Sequence, residues 1–290
     1  MLRELAGRHG LRVRVVDVDE TGWDFRVGHA VDERGARWVL RVPRRAEVIA
    51  RAEVERRLLE HLRPKLRVQL PEWEVFTSEL IAYRRLPGEP LGPEHPETLE
   101  YQWWVDAPAE YFARLGEVIA ELHRLDPAEL AALGAPVNRV GDLRGELAGE
   151  LRCAERELDV PRQPAGRWWA WLEDDRYWTS EVRFAHADLH PGHTLVDPAG
   201  RLLGVLDWTD AAIDDPAVDF LAVHNAFGLA GLDRLLAAYR DAGGAPRPRL
   251  REHVALFSGF RFSVSLAIHG IDVGNPGFVD IGRRRICALF

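Results

Sequence analysis

Lysine is almost missing from this sequence: Lys65 is the only one in 290 residues. Any task usually given to a lysine ammonium must therefore fall to arginine, which stays charged and presents a planar fork of donors. Cysteine is scarce as well. Cys153 and Cys287 lie far apart and form no CxxC pair, so neither a disulfide framework nor a zinc knuckle is indicated. No run of about 18 uninterrupted apolar residues occurs, which speaks against a membrane span. The first residues are charged where a signal peptide would carry its apolar core, so a cytoplasmic protein is expected. There is no basic stripe either. The formal charge of −8 argues against nucleic acid as a partner and slightly favours a cationic small molecule. Walker A and Rossmann fingerprints are both absent. So are internal repeats and low-complexity linkers.

What is present is an ordinary globular composition, 47% hydrophobic and 29% charged. The length suits one large domain or two lobes sharing a cleft. Val13–Val18, Phe25–Val31 and Arg37–Val42 read as three valine-rich strands between turn residues. After Pro43 the period becomes helical. Val48, Ala52, Glu55, Leu58, Leu59 and Leu62 recur every three or four residues until Arg63-Pro64 stops the run. Trp73–Thr77 and Leu80–Tyr83 read as two more strands. The expected fold is α+β and two-lobed, like a protein kinase. Residues 1–87 would form a small N-lobe with a five-stranded antiparallel sheet and one helix. Residues 88–290 would form a larger, mostly helical C-lobe. In the latter, Asp106 is the expected N-cap of a helix through Arg124 that buries Phe112, Leu115, Ile119 and Leu122. Residues 142–158, 165–174, 216–241 and 248–270 also carry helical patterns, with a turn at Gly243-Gly244.

The chemistry concentrates in Phe184–Asp197, FAHADLHPGHTLVD, and in VLDW at Val205–Trp208. A kinase catalytic loop has the form H-x-D-x-x-x-x-N, with a metal-binding aspartate on the next hairpin. Here Asp188 takes the aspartate position and would orient the acceptor hydroxyl and take its proton. Asp207 would hold magnesium against the nucleotide phosphates. His193 stands where the loop usually has asparagine, as the remaining ligand or the holder of a metal-bound water; imidazole is the poorer magnesium ligand. His186 reads as a structural brace. His190 reads equally as facing the acceptor or facing solvent. Asp214, Asp215 and Asp219 in DDPAVDF read as a helix cap and as braces for the loop. The pattern H-x-D-x-H-x-x-H also offers zinc-ligand types, but the N-lobe order and the place of Asp207 argue against that reading.

In the N-lobe, Arg41 on the third strand stands where a kinase has its phosphate-binding lysine. Glu55, or failing that Glu53, is spaced to pair with it, and an ordinary surface pair fits the spacing equally well. The first hairpin, ETGWDF, has a single glycine, Gly22. Phosphate contacts there would come from backbone N–H groups and Thr21.

With these residues in place the chain resembles the macrolide 2′-phosphotransferases, a branch of the aminoglycoside phosphotransferase-like small-molecule kinases. The resemblance runs through GWDFRV, WVLRVPRRAEV, LPEWEVFTSELIAY, WLEDDRYW, HADLHPGHTLVD, VLDWTDAAIDDPAVDF and GLDRLLAAYRDAGG. Histidine at the asparagine position and arginine at the lysine position are typical of that branch. The family usually reads H-G-D, and here Ala187 replaces the glycine. The resemblance implies transfer of a γ-phosphate, usually from GTP with ATP possible, to the 2′-hydroxyl of the macrolide amino sugar, with Mg2+. It implies Asp188 as base, His193 and Asp207 as metal ligands, and Arg41 on the phosphates. The nucleotide base would meet Tyr83, Arg84, Arg85 and Leu86, with Leu195 as floor and Leu206 nearby. The macrolide would lie on the helical lobe, with Trp103, Trp104, Phe257, Phe260, Phe262, His190 and Asp272 as candidate contacts. Rival readings are a kinase of another hydroxylated small molecule, such as an aminoglycoside, and a nucleotide-binding regulator without turnover. A strongly acidic acceptor cleft favours the former, and the intact pair Asp188 and Asp207 argues against the latter.

Overall fold

The computed structural model describes residues 2–20, 22 and 24–288. Of the expected site residues, Thr21 lies outside them. A short helix, α1 (Leu2–Arg8), leads into strands β1 (Val13–Asp19), β2 (Phe25–Asp32) and β3 (Arg37–Pro43). Helix α2 (Glu47–Leu62) follows, then β4 (Trp73–Phe76) and β5 (Ile81–Arg84). The five strands form one antiparallel sheet in the order β1-β2-β3-β5-β4. The β2–β3 turn closes because the Asp32 carboxylate accepts the N–H groups of Arg34 and Ala36, both at 2.9 Å, and the Trp38 indole N–H at 3.1 Å. One sheet face packs Ala30, Trp38, Leu40, Leu80 and Ala82 on Leu5 and Ala6 of α1. The other packs Phe25 and Ile81 on Val48 and Ala52 of α2. The residues that α2 buries are the six with helical period in the sequence, and one of them is a carboxylate, Glu55. Lys65 sits just past the end of α2, where its ammonium donates to Glu129 at 3.1 Å.

The chain enters the helical part through Gly88, whose φ of +93° and close approach to the Val196 carbonyl suit only glycine. There follow β6 (Glu89–Pro90), α3 (Ala109–His123), α4 (Pro127–Ala132), α5 (Val140–Glu157) and α6 (Arg162–Glu173). Next come β7 (Arg183–Ala185), β8 (Thr194–Val196), β9 (Leu202–Val205) and β10 (Ala212–Asp214). The chain then continues through α7 (Val218–Asp241), α8 (Leu250–Phe260), α9 (Leu266–Asp272) and α10 (Pro276–Ala288). Asp106 does not cap α3, which starts after Pro108. The expected single helix over 248–270 is interrupted by a π-helical turn at Arg261–Ser265. α7 kinks at Gly228, where φ is 62° and ψ −163°. By length and apolar composition Leu250–Asp272 passes for a membrane-crossing helix, yet 56% of its most apolar window is buried within the fold. That burial includes Phe257 and Phe260 against Trp171.

α3 and α7 meet closely at Gly116, where an added Cβ would come within 2.7 Å of the Ala238 backbone. Around them Tyr111, Phe112, Leu115, Ile119, Leu122, Leu232 and Leu235 join a core that extends to Trp168, Trp171 and Trp208. Each large apolar side chain fully buried there contributes roughly 1.5–3 kcal/mol. This core supports two small β units. β7 pairs with β10, and β8 pairs with both β6 and β9. The fold is thus α+β and kinase-like, and the loops between these short strands face the sheet.

Candidate active site

The loop between β7 and β8 carries His186 to His193, and the loop after β9 carries Asp207. His186 is fully buried. Its Nε2–H donates to the Leu206 carbonyl at 2.9 Å, and its Nδ1 accepts the Asp188 N–H at 3.2 Å. The Leu206 N–H in turn donates to the His193 carbonyl at 2.8 Å. The two loops are therefore laced together by main-chain and imidazole hydrogen bonds, which set Asp188 and Asp207 against one cleft.

His193 lies between the two aspartates. Its Nδ1 is 3.0 Å from the Asp188 carbonyl oxygen and 3.2 Å from Oδ2 of the same residue. Its Nε2 is 3.2 Å from Nε2 of His190 and 3.8 Å from Oδ2 of Asp207. Burial opposes a charge on His193, but the hydrogen bond and charge of Asp188, with the charge of Asp207, outweigh it and raise its pKa to about 9. Burial likewise opposes ionisation of Asp188, and the hydrogen bond and charge of His193 reverse this, holding the carboxyl well below the usual range. Asp207 is also lowered: burial is overcome by the charges of His193 and Arg41. His190 is driven down to about 4 by burial and by charged His193.

Above this cleft Arg41 and Glu55 form a buried ion pair, with Nη1 at 3.0 and 3.2 Å from the two carboxylate oxygens. Glu55 also accepts the Thr209 hydroxyl at 3.0 Å. The guanidinium lies 4.0 Å above the Phe25 ring. Glu53 faces Arg57 instead, at 3.4 Å. Gly22 is held by Arg44, whose Nε donates to its carbonyl at 2.8 Å.

Four cavities run together along the cleft. The first, about 450 Å³, lies under the sheet between Val27, Tyr83, Arg85, Leu86, Leu195 and Leu206, with Arg41, His193 and Asp207 at its inner end. These last three also line a cavity of about 350 Å³ that reaches Gly22, Asp188, Thr209 and Asp210. Asp188 and Asp210 then open onto a third, about 560 Å³, walled by Val137, Arg139, Asp142, Leu143, Glu146, Asp214, Phe257, Arg261 and Phe262. Phe262 borders the fourth, about 640 Å³, with Tyr101, Trp103, His224, Asn225 and Arg285.

Not every expected residue faces this path. Arg84 points to the other side of the sheet, paired at 3.0 Å with both Asp32 and Glu74 and stacked 4.0 Å over Trp38. Strand alternation requires this, since Tyr83 faces inward. Phe260 is wholly buried against Trp168 and Trp171, so it belongs to the core. Trp104 is exposed and lies outside the four cavities, and Asp272 is exposed at the end of α9. His190 packs on His193 and stands 6.5 Å from Tyr101, ring to ring. Residues that sequence reasoning missed are Thr209 and Asp210 beside Asp207, Tyr101, and the α5 acids Asp142 and Glu146. The spacing i, i+4 of the α5 acids, around Leu143, was the one available signal for a shared face. The loop before α5 is stitched to β10, with the Asn138 N–H donating to the Ile213 carbonyl at 2.9 Å and its side-chain amide to Asp214 at 2.7 Å.

A model of the phosphotransferase enzyme family matches residues 16–253. The uncharacterized protein YcbJ of Bacillus subtilis (strain 168) is 39% identical over 256 residues, 87% of this chain and 84% of its own. Macrolide 2′-phosphotransferase MphH from Brachybacterium faecium, solved as the apoenzyme, is 37% identical with a TM-score of 0.84, covering 98% of this chain and 97% of that one. A structure of macrolide 2′-phosphotransferase type I is 35% identical with a TM-score of 0.85, covering 98% and 95%. The family match takes in the sheet, the Arg41–Glu55 pair, the loop with Asp188 and the hairpin before Asp207. This chain belongs to the phosphotransferase enzyme family.

Proposed function

We propose that this chain is an antibiotic kinase of the cytoplasm that transfers the γ-phosphate of GTP, with ATP as the alternative donor, to the 2′-hydroxyl of a macrolide amino sugar. The observation that carries the reading is the position of Asp188. It stands at the junction of the cavity beside Arg41 and the larger cavity in the helical part. The likeness to two macrolide 2′-phosphotransferases supports the acceptor. The nucleotide base would occupy the apolar cavity at Tyr83, Leu86, Leu195 and Leu206. The phosphates would run inward past Gly22 to Arg41, whose charge is fixed by Glu55.

The cavity between these parts gathers the carboxylates of Asp188, Asp207 and Asp210, while Arg41 is already committed to Glu55. An excess of oxygen donors of this kind fits magnesium. Asp207 would hold the ion, with His193 beside it, and the ion would neutralise charge on the phosphates. To serve as a ligand His193 would have to give up the proton on Nε2, because Nδ1 is engaged by Asp188. Asp188 orients the acceptor hydroxyl and receives its proton. Its low basicity is suited to a reaction governed by positioning and charge stabilisation.

A second reading, phosphorylation of a polycationic aminoglycoside, draws on the acids Asp142, Glu146, Asp210 and Asp214 around the acceptor cavity, balanced only by Arg139 and Arg261. The macrolide reading places the single dimethylammonium among these acids and the apolar ring toward Phe262, Tyr101 and Trp103. The test is transfer from GTP and ATP to a panel of macrolides and aminoglycosides, read by product mass. A gain of one phosphate on macrolides and none on kanamycin is expected. Kanamycin phosphorylation with no macrolide product would overturn the acceptor and leave the kinase reading standing.

A further inference from the structure

Behind the catalytic loop a buried chain of hydrogen bonds crosses the helical core to a strained residue. Ala187, immediately before Asp188, has a φ of +67°. Side chains with a Cβ avoid this region, because Cβ crowds the following carbonyl. Among the described residues it shares left-handed φ with four other non-glycines, one of them Asp207. Something must hold it there. Its N–H donates to Oδ1 of Asp219 at 2.8 Å. Oδ2 of Asp219 lies 3.0 Å from Nε2 of His123, and Nδ1 of His123 lies 3.0 Å from the Tyr239 hydroxyl. A carboxylate only accepts, so His123 donates from Nε2 to Asp219, and its Nδ1 shares the other hydrogen bond with the Tyr239 hydroxyl.

The three side chains belong to different places in the sequence. His123 ends α3, Asp219 begins α7, and Tyr239 is near the other end of α7. All three are buried, Asp219 completely. Asp219 without His123 would keep the Ala187 N–H but lose the partner of its second oxygen. Its carboxylate would then be free to turn about the bond that aims Oδ1.

We propose that His123, oriented by Tyr239, is a positioning residue for phosphoryl transfer: it fixes the rotamer of Asp219, and so keeps the Ala187–Asp188 peptide in the left-handed geometry that sets Asp188 in the cleft. A glycine at position 187 would hold that geometry free of strain. In this chain alanine makes the loop depend on the relay. A purely structural His123 would affect stability alone. A positioning His123 makes its effect conditional on the residue at 187.

The test is a cycle of His123→Ala, Ala187→Gly and the double variant in the full chain. His123→Ala should lower kcat by about tenfold to a hundredfold, the size expected of a small misplacement at the reacting group, with KM for nucleotide and acceptor unchanged. Ala187→Gly in the same background should recover most of that loss, since glycine needs no restraint. Hydrogen exchange at the Ala187 amide of the substrate-free protein should accelerate at least about tenfold in His123→Ala. This arm needs no substrate, so an error in the acceptor leaves it untouched. If His123→Ala does not fold, Tyr239→Phe and His123→Gln replace it, each alone and with Ala187→Gly. Unchanged kcat and amide exchange in the folded variants, or a loss of kcat that Ala187→Gly does not relieve, would overturn the proposal.

Discussion

Removing the Glu55 carboxylate should cost far more than a surface ion pair does, and the structure says how much. The Arg41 and Glu55 side chains are only 9% and 1% exposed. Exposed pairs contribute about 0–1 kcal/mol. A desolvated pair behaves otherwise: deleting one partner strands a buried charge and costs about 3–5 kcal/mol. In Glu55→Ala the guanidinium loses two hydrogen bonds, and the nearby carboxylate of Asp207 recovers part of the charge balance, so about 3 kcal/mol is the expected loss. Glu55→Gln keeps one acceptor and should lose about 1.5 kcal/mol less, the worth of a hydrogen bond to a charged group. Replacing both partners by apolar residues, Arg41→Met with Glu55→Leu, should return stability to near the starting value. It should abolish most of the transfer activity, because Arg41 is the guanidinium that the proposed path of the phosphates reaches. The assay is urea unfolding of the four proteins, with transfer rates alongside. A loss below about 1 kcal/mol in Glu55→Ala would place the pair in the surface regime and refute the reasoning.

Asp188→Asn should cut turnover by about 10²–10⁴ with nucleotide affinity nearly unchanged, whereas Asp207→Ala should weaken magnesium-dependent nucleotide binding as well; titration with a fluorescent nucleotide separates the two. Stability of the ligand-free protein should peak near pH 6.5. Burial lowers the pKa of His186 and His253 below 6.5, so their contribution is complete above that pH and is lost on acidification. The pKa of His193 is raised from 6.5 to about 9, so its contribution is complete below 6.5 and disappears as pH climbs through 9. Thermal midpoints from pH 5 to 10 should trace this curve, and a midpoint flat across the range would contradict it. Gly116→Ala should destabilise by about 1–3 kcal/mol, because its Cβ meets the α7 backbone, and chemical denaturation will read the loss.

The sheet, α2 and the catalytic loop could be read from the chain because their signals are local. Period-two valines, a helical row ending at Arg63-Pro64, and a histidine–aspartate loop each sit within one short stretch of chain. Even the choice of Glu55 over Glu53 was implicit in that row, since Glu55 falls on its buried face. The cavity proposed for the acceptor had no such signal. Its walls come from 137–146, 210–214 and 257–262, which meet only after the helices pack. The aromatic residues singled out for it divided accordingly: Phe257 reaches the cavity, while Phe260, three positions on, is taken by Trp168 and Trp171. β6 is two residues long and exists only by pairing with β8, so propensity cannot find it. The π-helical turn is a shift of backbone hydrogen bonds that the apolar pattern of 248–270 does not encode.

The arginine at position 41 also decides which covalent reagents can report on this cleft. Acylating and sulfonylating nucleotide analogues label kinases by capturing an amine beside the phosphates, and a guanidinium is too weak a nucleophile at neutral pH to take its place. The one lysine side chain of this protein is held by Glu129 beyond the end of α2, away from the cavities. An adduct found there would mark surface chemistry and say nothing about nucleotide occupancy. A covalent inhibitor for this enzyme must therefore be aimed at the carboxylates or imidazoles around Asp207.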